Sequence, residues 1–256
     1  MSIIEQLLGS LKGEAKVTEL QVGLFWTAVV LDTSPPVCGL ASTVRGDCSE
    51  TDHAAVSPSD LMTRSGRELA SLLRSPRPVE ASVGMAAMNA LLAVERDHYP
   101  LMNAGELILR EGAGKRVAIV GHFPFVEEVR MVASLCEILE LRPRPGDLPA
   151  DRAAMVIPDA DVVAITSTSI INHTFEGLVG LCRPDALVIV LGGSTPLSPV
   201  LFDFNVDVAA GIAVTDVQAV VNAVSHGATF RQIGGKQLVA ITRPGLGLTT
   251  IRQEER

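Results

Sequence analysis

Histidine and cysteine are the side chains best suited to hold a borderline or soft metal, and histidine also moves protons near neutral pH. The chain carries five of the first and four of the second in 256 residues. They are scattered. His53, His98, His122, His173 and His226 show no H-x-x-x-H or H-E-x-x-H spacing, and Cys38, Cys48, Cys136 and Cys182 form no C-x-x-C pair. A metal would need ligands gathered from several loops. The densest donor run, Asp47, Cys48, Glu50, Asp52 and His53, has residue types that bind metal and equally make a solvated polar loop. Cys136 lies in an apolar run and reads as a small buried hydrophobe. All four thiols are expected to be free in a reducing cytosol.

A second set of polar residues sits in three turns. Each turn follows a short apolar run rich in Val and Ile: 117–120, 161–166 and 186–191. The first turn is Gly121-His122-Phe123-Pro124. Its imidazole suits acid–base work or metal ligation, or is a satisfied structural group. The second runs from Thr166 through Thr168 to Asn172; these side chains either meet a ligand or cap the next helix. The third is Gly192-Gly193-Ser194-Thr195-Pro196, plain turn glycines or a nest of N–H groups for an anion. Asn89 stands in a small, apolar helical segment, where a buried amide must pair, either with nearby backbone or at a cleft.

Several chemistries are disfavoured. No G-x-S-x-G elbow supports a serine nucleophile. Of the glycines that dinucleotide binding requires, only Gly121 is in place, and Phe123-Pro124 fills the space where backbone should approach pyrophosphate. Glu140 alone is a weak ribose ligand, so NAD is disfavoured; no phosphate-binding P-loop occurs either. Net charge is −8, which argues against nucleic acid as a partner. Apolar residues make up 47% of the chain, and the mean hydropathy is +0.33. No window nears eighteen unbroken apolar residues, so the apolar content reads as buried parallel strands and no membrane span. The first eight residues do not read as a signal peptide, and the expected location is cytoplasmic.

The elements that must carry these turns divide the chain in two. Residues 1–104 read as an α+β unit: a helix over 2–12, a strand or hairpin over 17–31 with its turn near Gly23, and a returning strand over 37–44. Gly39 marks a bulge or close approach in that strand. Ser59 is expected to cap a helix from residue 60; helical spacing resumes over 65–73 and 79–94, and 97–105 reads as a linker. Residues 105–256 alternate strand and helix, with strands at 116–120, 135–141, 161–166, 186–191 and 206–214. Helices are expected near 125–133, 151–157, 174–182 and 215–225, the last capped by Thr215, and 142–149 is a loop. This alternation predicts a Rossmann-like α/β domain with a mostly parallel, doubly wound sheet. The three turns then share one sheet edge and line a common crevice. Size and apolar content are compatible with a homodimer.

The strings themselves resemble a known family. Gly121-His122-Phe123-Pro124, Ile165-Thr166-Ser167-Thr168 with Ile171-Asn172-His173-Thr174, and Gly193-Ser194-Thr195-Pro196-Leu197-Ser198-Pro199 with Leu201-Phe202 are similar to DUF364, a family named for heavy-metal chelation. The preceding Gly39-Leu40-Ala41 and the run Ser82 to Ala90 resemble DUF4213. The resemblance implies an N-terminal domain with the enolase N-terminal fold, a Rossmann-like domain after it, and a site at their junction. Carried onto this chain, that site comprises Gly121, His122, Phe123, Pro124, Thr166, Thr168, Asn172, Gly193, Ser194, Thr195 and Asn89, with His122 as the candidate metal ligand. It would hold a metal or metal–ligand complex, the cofactor being at most a transition metal. The alternative is an enzyme acting on a small organic metabolite in the same cleft.

Overall fold

A computed structural model describes residues 1–46, 57–94 and 99–247. Helix α1 (Ile3–Ser10) is capped by Ser2, whose Oγ accepts from the Glu5 N–H, and it buries Ile3, Leu7 and Leu8. The 17–31 run is a hairpin: β1 (Val17–Val22) and β2 (Trp26–Leu31) pair antiparallel, and the Gly23 N–H donates to the Trp26 carbonyl. Strand β3 (Val37–Ser42) returns beside β2 to give a three-stranded antiparallel sheet, β1-β2-β3. Helix α2 (Pro58–Leu61) begins earlier than expected. Pro58 supplies a first-turn residue whose missing N–H costs nothing, so Ser59 lies inside the helix and Ser57 holds the cap position. Ser65 and Glu68 close a reciprocal capping box on α3 (Gly66–Ala70).

Helix α4 (Pro78–Val94) is the centre of this half, and its small residues have a steric cause. A Cβ on Gly39 would fall 2.1 Å from the Ala86 carbonyl oxygen and 2.2 Å from the Ala90 nitrogen. Strand β3 thus meets the helix backbone to backbone, the close approach that Gly39 signalled. One face of the small sheet (Val29, Leu31, Ala41) shares a core with α4, while Ala28, Val30, Cys38 and Leu40 face a separate cluster with Val220, Val221 and Val224.

Helix α5 (Ala104–Gly112) begins in the last two residues of the expected linker and runs on through a stretch for which no element was expected; Asn103 caps it by accepting from the Gly105 N–H. Then come β4 (Arg116–Val120), α6 (Val126–Val132), β5 (Leu135–Glu140), the two-residue β6 (Leu148–Pro149) and α7 (Ala153–Val156). Strand β7 (Val162–Thr166) leads to α8 (Thr168–Ile171) and α9 (Phe175–Val179). The chain continues through β8 (Leu187–Leu191), β9 (Val208–Val214), α10 (Val217–Ser225) and β10 (Lys236–Thr242). Asp216, not Thr215, caps α10: its Oδ1 accepts from the Ala219 N–H at 3.0 Å.

The large sheet has the order β10-β9-β8-β7-β4-β5-β6, parallel except for β10. Counted from β4, the parallel strands run 3-2-1-4-5-6, the doubly wound order. Val117, Ile119, Val162 and Ala164 pack with α5 and α6, whereas Ala118, Val120, Val163 and Ile165 join the core that also contains α1, α3 and α4. The alternation is that of strands buried on both faces. No helix of the described residues is long and apolar enough to cross a membrane.

Buried Asp207 holds the start of β8 and β9 together. Its Oδ2 accepts from the Val188 N–H at 2.8 Å and its Oδ1 lies 3.5 Å from the Arg243 guanidinium. Asp207→Ala leaves that N–H without its acceptor. The expected loss is about 1–3 kcal/mol, measured as a lower urea midpoint with unchanged m-value.

Candidate functional site

Winding reverses at β4. The chain goes outward through β5 and β6, then returns to the other side of β4 as β7. Loops leaving β4 and β7 therefore diverge, and a crevice opens above their carboxyl ends. A hollow of about 660 Å³ lies there. His122, Phe123 and Pro124 reach it from β4, Thr166 and Thr168 from β7, and Gly192 and Gly193 from β8. Trp26 and Ser42 of the small sheet, residues 102–106 at the start of α5, Gly211 of β9, and Phe230 and Arg231 after α10 also line it.

Glycine geometry lets the loops come this close. Gly121 has φ +101°, and a Cβ there would lie 3.0 Å from Thr166 Cβ, so only glycine turns the chain at the switch point. A Cβ on Gly193 would lie 2.8 Å from the Trp26 ring and 2.9 Å from the Phe230 ring. Those rings are 5.2 Å apart between centroids, and Lys236 Nζ sits 4.5 Å from the Phe230 centroid. Burial lowers the Lys236 pKa. Phe123 and Phe125 stack at 5.3 Å with planes 10° apart. The hollow therefore has two pairs of aromatic rings in its wall.

Its polar atoms are few. Thr166 Oγ1 and Thr168 Oγ1 share a hydrogen bond of 3.0 Å. Ser167 Oγ is buried and has no hydrogen-bond partner. His122 Nδ1 is 3.3 Å from Asp147 Oδ2. The Asp147 side chain is only 1% exposed, accepts from the Arg144 N–H at 3.1 Å, and faces the Arg130 guanidinium at 3.6 Å. Arg130 in turn donates to the Gly146 carbonyl at 3.0 Å. Sequence reasoning missed Asp147, which sits in the Pro- and Gly-rich loop 142–149, 25 positions beyond His122. The available signal was an Asp just after Pro145-Gly146, a turn residue whose carboxylate can bond nearby backbone.

The other anticipated residues are placed differently. Ser194 is buried and faces the small sheet: its Oγ accepts from the Ser42 N–H at 2.8 Å and lies 3.1 Å from Ser42 Oγ. Asn89 Nδ2 donates to the carbonyls of Leu40 (2.9 Å) and Ser194 (3.2 Å). Together they clamp the third turn onto β3. Thr195 Oγ1 donates to the Gly192 carbonyl. Thr195 and Asn89 line a second hollow, of about 560 Å³, with Gly39, Tyr99 and Leu197. Asn172 lies in neither lining and accepts from the N–H and hydroxyl of Thr174.

Metal donors do not converge. Among the described residues no group of three His, Cys, Asp or Glu side chains could hold an ion. His173 Nε2 pairs with the Leu73 carbonyl, and His226 Nδ1 with that of Asn222. Burial pushes the thiols of Cys38 and Cys182 up to about 12 and that of Cys136 to about 11. The run Asp47, Cys48, Glu50, Asp52 and His53, and also His98, lie outside the described residues. The described donors do not fit a metal centre built by the protein alone. The raised thiols carry an expected result: at pH 8.5 Cys38 and Cys182 expose on the order of 10³-fold less thiolate than free cysteine, so iodoacetamide labels them rapidly only in urea. Mass spectrometry of native and denatured samples checks this.

The architecture has relatives. A DUF364 protein of unknown function from Desulfitobacterium hafniense is 27% identical, aligned over 94% of this chain and 97% of its own, with a TM-score of 0.79. A DUF364 protein of unknown function from Pyrococcus horikoshii, 19% identical over 94% and 98%, shares the fold at a TM-score of 0.79. No curated protein matches. The DUF4213 family, described as "Putative heavy-metal chelation", matches residues 4–92. The DUF364 family, with the same description, matches residues 103–243, more than half of the chain. The chain belongs to the DUF364 family.

Proposed function

We propose that the hollow above β4, β7 and β8 binds a small organic molecule with a flat apolar part, and that a metal reaches it only as a complex with that molecule. The observation that carries this reading is the wall itself: two aromatic pairs, Phe123–Phe125 and Trp26–Phe230, and one imidazole, with no group of three metal donors among the described residues. Aromatic walls with few polar groups suit an organic ligand. Chelation, the activity in the family's description, is then supplied chiefly by the ligand's own donors. On this reading residues 1–104 form the enolase N-terminal-like module and residues 105–256 the Rossmann-like one. The hollow then lies at their junction, with Trp26, Ser42, Met102, Asn103 and Ala104 contributed by the first module.

Trp26 is the chain's single tryptophan, so its emission reports directly on the hollow. Titration with a panel of aromatic and conjugated chelators, metal-free and metal-loaded, should change that emission saturably. Calorimetry with zinc, nickel, copper, cobalt or iron salts alone should give no stoichiometric heat. Tight one-to-one binding of a bare ion, with Trp26 silent to every organic ligand, would replace this reading with a protein-built metal site.

A further inference from the structure

We propose that His122 and Asp147 form an acid–base dyad, so that the hollow exchanges a proton with an acidic O–H or N–H group of its ligand. The inference rests on the ligand-binding reading above and extends it from holding a molecule to changing its charge.

Nδ1 of His122 faces Asp147 Oδ2 at 3.3 Å, and a carboxylate in that position favours the tautomer with the proton on Nδ1. The other ring nitrogen, Nε2, then carries a lone pair and has no partner among the described residues, on a side chain that lines the hollow. Asp147 is not a surface carboxylate sampling many positions. Its side chain is 1% exposed and held from three sides, by the Arg144 N–H, the Arg130 guanidinium and the imidazole. The other charged groups nearby are accounted for. Arg130 also pairs with Glu127, and Glu106 accepts from Asn103; Glu128 and Arg231 line the hollow without a hydrogen bond or ion pair to His122.

A buried carboxylate on one imidazole nitrogen, with the other nitrogen at a cavity, orients the ring and stabilises the imidazolium. The step is balanced without a co-reactant. The ligand's O–H or N–H bond breaks and its electron pair stays on the ligand, which becomes an anion. An N–H bond forms at Nε2, and the imidazolium's Nδ1–H remains directed at Asp147. The stacked Phe123 and Phe125, one and three residues from His122, favour a ligand whose acidic group sits on an aromatic or conjugated ring.

The test uses full-length protein labelled with 15N-histidine and needs no ligand, so its outcome is separate from that of the Trp26 titration. Long-range proton–nitrogen correlation, assigned with His122→Gln, should show neutral His122 as one tautomer, with the proton on Nδ1. Asp147→Asn should abolish that preference. Diethyl pyrocarbonate, which acylates the unprotonated nitrogen, should at alkaline pH modify His122 several-fold more slowly in Asp147→Asn, with His173 and His226 unchanged. A proton on Nε2 or an unfixed tautomer in the unsubstituted protein overturns the dyad, as does an unaltered modification rate in the variant.

Discussion

Gly39→Ala is expected to destabilise the protein by about 3–5 kcal/mol, although it adds a single methyl group. That carbon would have to occupy space 2.1 Å from the Ala86 carbonyl oxygen, 2.2 Å from the Ala90 nitrogen and 2.9 Å from the Ala90 Cα. All three are backbone atoms of α4, so no rotamer change can relieve the overlap. Either β3 lifts from the helix or the helix shifts. Both moves disturb a core that includes Val29, Leu31, Ala86 and Ala90, each at most 1% exposed. A domain with some 5–15 kcal/mol of stability would lose a large fraction of it. The effect reaches the site, because β3 also carries Leu40 and Ser42, the partners of Asn89 and Ser194. Urea denaturation followed by Trp26 emission measures the cost. Gly13→Ala is the control: a methyl carbon there would meet nothing within 4 Å, and the expected change is within about 0.5 kcal/mol. Equal midpoints for the two variants would show that β3 and α4 are not in backbone contact.

What could be read from the residues, and what could not, follows the range of the interactions involved. Strands β4, β7 and β8 are legible because burial on both faces leaves almost unbroken apolar runs rich in Val, Ile, Leu and Ala, and polar or glycine-containing turns stop each run. The common edge then follows from parallel topology. Helix α8 is harder to see: Thr168-Ser169-Ile170-Ile171 has mediocre helix formers, and their side chains serve local bonds such as Ser169 to the Thr166 carbonyl. The antiparallel β10 depends on pairing with β9 some twenty residues earlier, which no local pattern announces. The same holds at the site. Gly121, His122 and Gly193 announce themselves as turn residues, whereas Asp147 acquires its role only when β5 and its loop come back beside β4. Asn89 and Ser194 are polar residues in apolar surroundings, and sequence alone leaves open whether such groups face a ligand or each other. Here the Asn89 amide bonds the Ser194 carbonyl.

That clamp carries the second large effect. Asn89→Asp keeps the shape of the side chain and removes its only donor. Nδ2 of Asn89 now satisfies two carbonyls, those of Leu40 on β3 and Ser194 in the third turn. An ionised carboxylate in its place would set negative oxygen against two carbonyl oxygens. The expected loss at neutral pH is about 3–5 kcal/mol, the range for a buried polar contact turned into an uncompensated charge. The pH dependence has a definite sign. Like-signed dipoles and burial both disfavour the charged form, so the folded-state pKa of the introduced carboxyl rises above its unfolded value of about 3.9. Relative to the parent protein, the variant is then least impaired below that value, where the carboxylic acid can still donate one hydrogen bond. The deficit grows as pH rises through the raised folded-state pKa. Because Ser194 is next to Gly193, which packs on Trp26, loosening the clamp should also shift Trp26 emission under native conditions. A variant with the parent's urea midpoint at both pH 4 and pH 8 would mean that the third turn is held against β3 by Ser42 and Ser194 alone, and that the hollow's wall does not depend on Asn89.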